Sequence, residues 1–163
     1  ATNASATWFS SQQESRKILT QMFIAHELPF QLSEHDLFKA LLASLQPKFK
    51  IHGRITLKSD IMKMFQKMKD ELARDLSGIN RISLTTDLWT SSNQTPFMVV
   101  SCHYISDDWK LMKQILSFKE LPTPHTGLAI SEHLISTIVE WKILDKVAYV
   151  TVDNASSNDV AIT

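Results

Sequence analysis

A mixed α/β fold, three helices followed by the order β-β-β-α-β, is what this 163-residue sequence predicts. Three observations carry the prediction. Apolar residues recur every three or four positions up to Gly78. Beyond Gly78 the pattern turns to alternation and to runs of β-branched and aromatic residues. One more amphipathic stretch separates the last two strands, which is what a crossover between parallel strands requires. The organisation expected is a helical region over 1–79 and an α/β region over 80–163.

The first helix lies in "SSQQESRKILTQMFIAHELPF", with Ile18, Leu19, Met22 and Phe23 on one stripe, Ser10 or Ser11 as N-cap, and Pro29 enforcing a stop. The second is "SEHDLFKALLASLQP": Ser33 caps it, Asp36 sits at its third position, and Leu37, Leu41 and Leu45 repeat every four residues. The third is the longest. Thr56 or Ser59 starts it, Ile61, Phe65, Met68 and Leu72 form its inward stripe, and Gly78 ends it.

"RISLTTDLW" then alternates, with Ile82, Leu84 and Thr86 on one face and Ser83, Thr85 and Asp87 on the other. "PFMVVSCHYIS" is rich in β-formers and carries Pro96 where no ladder donor is needed. "SDDW" is a turn, "KLMKQILSFKEL" the third strand and "LPTPHTG" a loop. The fourth helix sets Ile130, Leu134 and Ile138 in register, with Ile135 and Val139 beside them. The fourth strand runs from Lys146 to Val152 and ends in Asp153. Strands joined by hairpins should be antiparallel, and the strand reached through the helix can lie parallel to the first.

Composition narrows the function classes. Forty-four per cent of residues are apolar and 21% charged, as in a globular domain. Net charge is zero, but residues 1–81 carry 12 Lys/Arg against 8 Asp/Glu, and residues 82–163 carry 5 against 9. A basic half and an acidic half suit a chain that holds a polyanion with one part and metal ions with the other; chance gives the same imbalance. The single Cys102 excludes an internal disulfide and a cysteine-rich zinc site within the chain, so zinc is not expected. No run approaches the ~18 apolar residues of a membrane span, and the N-terminal residues hold no signal-peptide core. The missing initiator methionine suggests an excerpt from a longer chain.

Two aspartates close strands in this reading, Asp87 the first and Asp153 the fourth. If those strands are neighbours and parallel, both carboxylates emerge at one C-terminal sheet edge, where open α/β sheets bind ligands. Two converging carboxylates repel unless a cation or good donors lie between them. Mg²⁺, or Mn²⁺ in its place, takes oxygen ligands and needs only one or two carboxylates besides substrate phosphates. The alternative is a turn and a cap, because Asp and Asn favour strand ends for both purposes.

Other residues divide in the same way. Trp89 either stacks on a base or packs beside the strand end. His125, before a helix, either faces a phosphate or sits in the loop as a cap. Asn154, Ser156, Ser157 and Asn158 either position a phosphate or form a turn. Cys102 and His103 are adjacent in mid-strand, so they face opposite ways and share no metal. From Leu37 to Ser59 there is no acidic residue, and Lys48, Lys50 and Arg54 are candidates for phosphate contact in a loop opened by Gly53.

"LTTDLWTSSNQTPFMVVSCHYI", "LPTPHTG" and "VTVDNASSNDVAI" resemble the ribonuclease H-like core of the hAT transposases, the superfamily of hobo, Activator and Tam3 elements and their relatives with a BED zinc finger. The resemblance covers roughly residues 30 to 163 and implies an N-terminal helical region followed by a partial ribonuclease H-like fold. It implies that Asp87 and Asp153 are the first two catalytic, metal-binding acids. The family's third acid is a Glu on a later helix, after a helical insertion. The chain ends at Thr163 ahead of both, so it is expected to be inactive alone and to bind Mg²⁺ or Mn²⁺ weakly. The resemblance further implies DNA as partner, cutting and joining of transposon ends by the complete protein, self-association of that protein, and a nuclear location. The other readings are a domesticated derivative that binds DNA or protein without catalysis, and a helical interaction module fused to an inert α/β domain. An uncovered sheet edge is expected to make the isolated chain self-associate or only marginally stable.

Overall fold

The computed structural model describes residues 11–121 and 126–152. The chain divides into two compact units, 1–70 and 71–163. In the first unit, α1 (Gln12–Ala25) starts at Ser11, whose hydroxyl accepts from the Glu14 amide. It ends before Pro29. Glu27 takes a left-handed conformation (φ 51°), and the Leu28 N–H reaches back to the Phe23 carbonyl (3.0 Å). A 3-10 helix, Phe30–Glu34, precedes α2 (Asp36–Leu45).

Here the structure departs from the expected helix start. Ser33 lies inside the 3-10 helix and gives its hydroxyl proton to the Phe30 carbonyl, so His35 occupies the N-cap of α2 and Asp36 is its first residue. The expected inward row of α2 is also turned outward. Leu37, Leu41 and Leu45 are 75%, 54% and 72% exposed, and the helix leans inward through half-buried Phe38 and Leu42 instead. Phe38 meets the buried Phe23 edge-on at 6.1 Å. Both rows are apolar, so periodicity alone does not choose between them.

The third helix, α3 (Arg54–Gly78), begins ahead of Thr56 and contributes to both units. Its buried residues are Leu57 and Leu76, with Ile61 and Leu72 half-buried; Phe65 and Met68, expected inside, are exposed. In the first unit the Arg16 guanidinium grips Asp60 with two hydrogen bonds (2.5 and 2.7 Å) and touches His52 at 3.2 Å. Two parallel N–H···O bonds to a carboxylate are the strong form of ion pair.

The second unit is a four-stranded sheet in the order β3-β2-β1-β4, made of β1 (Ile82–Thr90), β2 (Pro96–Ile105), β3 (Leu111–Glu120) and β4 (Val147–Thr151), with α4 (Gly127–Glu140) between β3 and β4. Both hairpin pairings are antiparallel and β1 pairs with β4 in parallel, as expected. The β4 strand is shorter than expected at both ends.

One face of the sheet is a packed core. Ile82, Leu84, Cys102 and Tyr104 meet Leu76 from α3 and Ile138 from α4, and Met98, Val100 and Ile130 form a second cluster. The Trp141 indole, at the end of α4, donates to the Leu116 carbonyl at 2.9 Å within the core. A left-handed Lys142 (φ 55°) then turns the chain, with the Ile143 N–H on the Ile138 carbonyl. Lys146 donates its ammonium protons to the Leu76 and Ser77 carbonyls (2.9 and 2.5 Å), the cation that the C-terminal end of α3 favours.

The other face is open among the described residues. Ile105, Leu111, Ile115, Phe118 and Tyr149 are exposed on it, with Trp89 at the same end as Phe118.

Trp141→Phe keeps an aromatic ring but removes the indole N–H and orphans the buried Leu116 carbonyl. The expected cost is about 1–3 kcal/mol, read as a lower midpoint in urea with an unchanged slope.

Candidate functional site

Asp87 is exposed on β1, on the face that carries Ser83 and Thr85. It does not close the strand, contrary to expectation. The β2 strand pairs with β1 as far as Thr90↔Pro96, and this ladder holds the backbone extended for three residues beyond Asp87. Among the described residues, the last pair of the parallel ladder to β4 is Thr85↔Thr151, two residues before Asp87. The carboxylate therefore stands just past the described parallel pairing. Among the described residues it has no hydrogen-bond or ion-pair partner.

The small polar residues after Trp89 are a hairpin connection. The Ser91 N–H donates to the Thr95 carbonyl (2.8 Å), the Thr95 N–H to the Ser91 hydroxyl (3.2 Å), and Gln94 adopts a positive φ of 60°. Trp89 itself packs on protein. It stacks on its cross-strand partner Phe97 (5.9 Å between centroids) and tilts against Phe118 (5.4 Å). Forty per cent of it stays exposed.

On the other side of Asp87, Thr85 Oγ1 lies 3.0 Å from His103 Nε2. Cys102 points the opposite way into the core, fully buried. Burial pushes its thiol up to about 11. The two residues thus occupy opposite faces, as their adjacency in a strand dictates.

Thr86, next to Asp87, is a residue that alternation marks only as inward. It is 7% exposed, and its hydroxyl has no hydrogen-bond partner among the described residues. Sequence gives no signal for this, because satisfaction depends on which distant groups surround the atom.

Asp153, Asn154 and His125 lie outside the described residues. Among the described residues no cluster of three or more His, Cys, Asp or Glu could hold a metal. The donor offered by Asp87 is a single hard oxygen ligand, which suits Mg²⁺ or Mn²⁺ chemistry and needs a second carboxylate to complete it.

The basic segment is more ordered than an open loop. The Gln12 side-chain amide makes two hydrogen bonds with the Lys50 backbone (2.7 and 3.0 Å). Arg54 is the first residue of α3. Its N–H donates to Glu34 Oε1 (3.0 Å) and its guanidinium lies 3.7 Å from Glu34 Oε2. Glu34 thus caps α3 and offsets the Arg54 charge. A Cβ on Gly53 would come within 3.0 Å of that carboxylate, so the close approach uses the missing side chain. Lys48 and Lys50 make no ion pair among the described residues.

The ZBED1 RNase-like domain family matches residues 85–163, the stretch that begins two residues before Asp87. The putative AC transposase of Zea mays is 38% identical over 149 residues, 91% of this chain and 18% of that protein. The chain is similar to these transposase-type proteins over most of its length. Zinc finger BED domain-containing protein RICESLEEPER 2 of Oryza sativa subsp. japonica is 31% identical over 151 residues, 91% of this chain and 21% of its own length. DAYSLEEPER of Arabidopsis thaliana, another BED domain-containing protein, is 29% identical over 157 residues, 96% of the chain and 23% of its length. The chain thus spans about a fifth of the length of these curated relatives. No solved structure matches it significantly. The strand order and the mixed sheet fit a partial RNase-like domain.

The elevated thiol has a pH consequence. The folded protein keeps the Cys102 proton that the unfolded chain releases near 9, so stability should fall as pH rises from about 9 towards about 11. Cys102→Ser should flatten that stretch of the curve. At pH 8 the thiol should react with a thiol probe only after denaturant is added.

Proposed function

We propose that this chain forms the first part of the RNase-like catalytic core of a hAT-type transposase, and that Asp87 and Asp153 are the two carboxylates of its divalent-cation site. The observation that carries the reading is a shared offset. Ser83↔Tyr149, Leu84↔Val150 and Thr85↔Thr151 are each 66 positions apart, and so are Asp87 and Asp153. In a parallel ladder, residues in register share a face and sit on adjacent strands about 4.8 Å apart. In this reading the acids come together two residues beyond the last parallel pair, at the C-terminal sheet edge where such folds bind ligands.

Each acid then has its own task. Asp87 is held rigidly, because β2 pairs with it and with the three residues after it. In this reading Asp153 would come to it through the α4 crossover. Mg²⁺ or Mn²⁺ bound between them would supply Lewis-acid chemistry for phosphodiester cleavage and joining. Two carboxylates brought side by side favour a bound cation, which offsets their mutual repulsion. The complete protein is proposed to act on DNA in the nucleus and to use this pair in strand transfer. Lys48 and Lys50 are its proposed phosphate contacts, with Arg54 a weaker one because Glu34 already engages it.

The test is calorimetry with MgCl₂ and MnCl₂ on the chain and on its Asp87→Asn and Asp153→Asn variants. Weak binding is expected, reduced at least about tenfold (about 1.4 kcal/mol) by either substitution. Absence of binding, or binding indifferent to both, contradicts the paired site.

DNA contact is tested separately. Lys48→Glu with Lys50→Glu should weaken binding on DNAs of any sequence, and the slope of log K against log salt should shrink by about two. An unchanged slope removes both residues from the interface.

A further inference from the structure

Between α2 and α3 the chain runs from Gln46 to Gly53 outside any helix or strand. Backbone of this kind ordinarily gives its polar groups to water and varies in conformation. In this segment side chains hold it instead. The Phe49 N–H donates to the Gln46 carbonyl (2.9 Å) and the Lys48 N–H to the Gln46 side-chain oxygen (3.3 Å). Lys50 is held on both its polar groups by one residue of α1. Gln12 accepts from the Lys50 N–H (3.0 Å) and donates to the Lys50 carbonyl (2.7 Å). A primary amide offers both an acceptor and donors, so one glutamine replaces the two bonds that a neighbouring strand would make.

The next turn of α1 engages the same segment. Arg16 lies four residues beyond Gln12, on the same helix face, and its guanidinium is 3.2 Å from His52 Nε2. Two hydrogen bonds to Asp60 of α3 fix that guanidinium and offset its charge, so Arg16 serves the protein rather than a phosphate. Phe49 faces the groove that Leu19 and Met22 of α1 line. Lys48 and Lys50, on either side of it, are exposed. The two ammonium groups thus stand on backbone that α1 and Gln46 keep in place. Binding a phosphate with a flexible lysine costs order, and backbone fixed beforehand removes part of that cost.

We propose that Gln12 is a positioning residue for DNA. It touches no phosphate itself; it holds the Lys50 backbone so that the Lys50 ammonium is presented to one, while Arg16 secures the same segment at His52. The inference rests on the reading of Lys48 and Lys50 as phosphate contacts, and it adds to that reading the residue that organises one of them.

A double-mutant cycle on the full chain tests it, with a mixed-sequence DNA duplex titrated at several salt concentrations. Lys50→Ala should shrink the slope of log K against log salt by about one. Gln12→Ala removes no charge and lies at an exposed position, so the circular dichroism spectrum should be unchanged. It should nevertheless weaken binding about threefold or more. In the Lys50→Ala background the same substitution should cost nothing further. In the Lys48→Ala background it should cost its full amount, because Gln46 holds Lys48. A glutamine that only supported the fold would weaken binding equally in both backgrounds. An unchanged slope for Lys50→Ala overturns the DNA reading and this inference with it. A reduced slope for Lys50→Ala, together with no loss from Gln12→Ala or with equal losses in the two lysine backgrounds, overturns the positioning role and leaves the DNA contact standing.

Discussion

The parallel pairing of β1 with β4 is the constraint on which the account of the site depends. Hairpins cannot make it; a parallel neighbour must be reached by a crossover, and α4 supplies that crossover. The helix is anchored by burial of Ile130 and Ile138 against the sheet and by the Trp141 hydrogen bond to the Leu116 carbonyl. The turn through Lys142 then returns the chain beside β1. Each of these features serves one outcome, the register of Tyr149, Val150 and Thr151 against Ser83, Leu84 and Thr85. In a sheet a slip of one residue would turn every side chain to the other face. The buried positions of β1 (Ile82, Leu84 and Thr86) make such a slip costly.

The same register gives Asp87 its character. It is rigid, because β2 holds the backbone on both sides of it, and it is exposed. A carboxylate fixed in place but open to solvent is preorganised for a ligand. The aromatic cluster of Trp89, Phe97 and Phe118 stiffens the strand beyond it, with Phe97 and Phe118 stacked at 5.4 Å. Trp89 thus contributes to the site through packing on protein.

Much of this was readable from residues alone. Alternation in "ISLTTDLW" set the two faces of β1, and the amphipathic stretch before the last strand allowed the parallel arrangement. Where reading failed, the cause is specific. Leu37, Leu41 and Leu45 look like an inward row, but Phe38 and Leu42 make a second apolar row one residue on, and contact with Phe23 decides between them. The length of β1 depends on how far β2 follows it, which is a pairing property that no local pattern carries. The grip of Arg16 on Asp60 joins residues 44 apart, and that of Glu34 on Arg54 joins residues 20 apart. Such partners become visible only when the chain is folded.

The most direct test of the central claim uses carbon-detected NMR of the aspartate carboxyl groups, with Mn²⁺ added in small steps. A paramagnetic ion broadens only the groups close to it. If the β1–β4 register carries on to the acids, the Asp87 and Asp153 resonances should broaden together, at the same Mn²⁺ concentration and ahead of Asp107, Asp108 and Asp145. Broadening of one without the other, or of neither, would contradict a shared site.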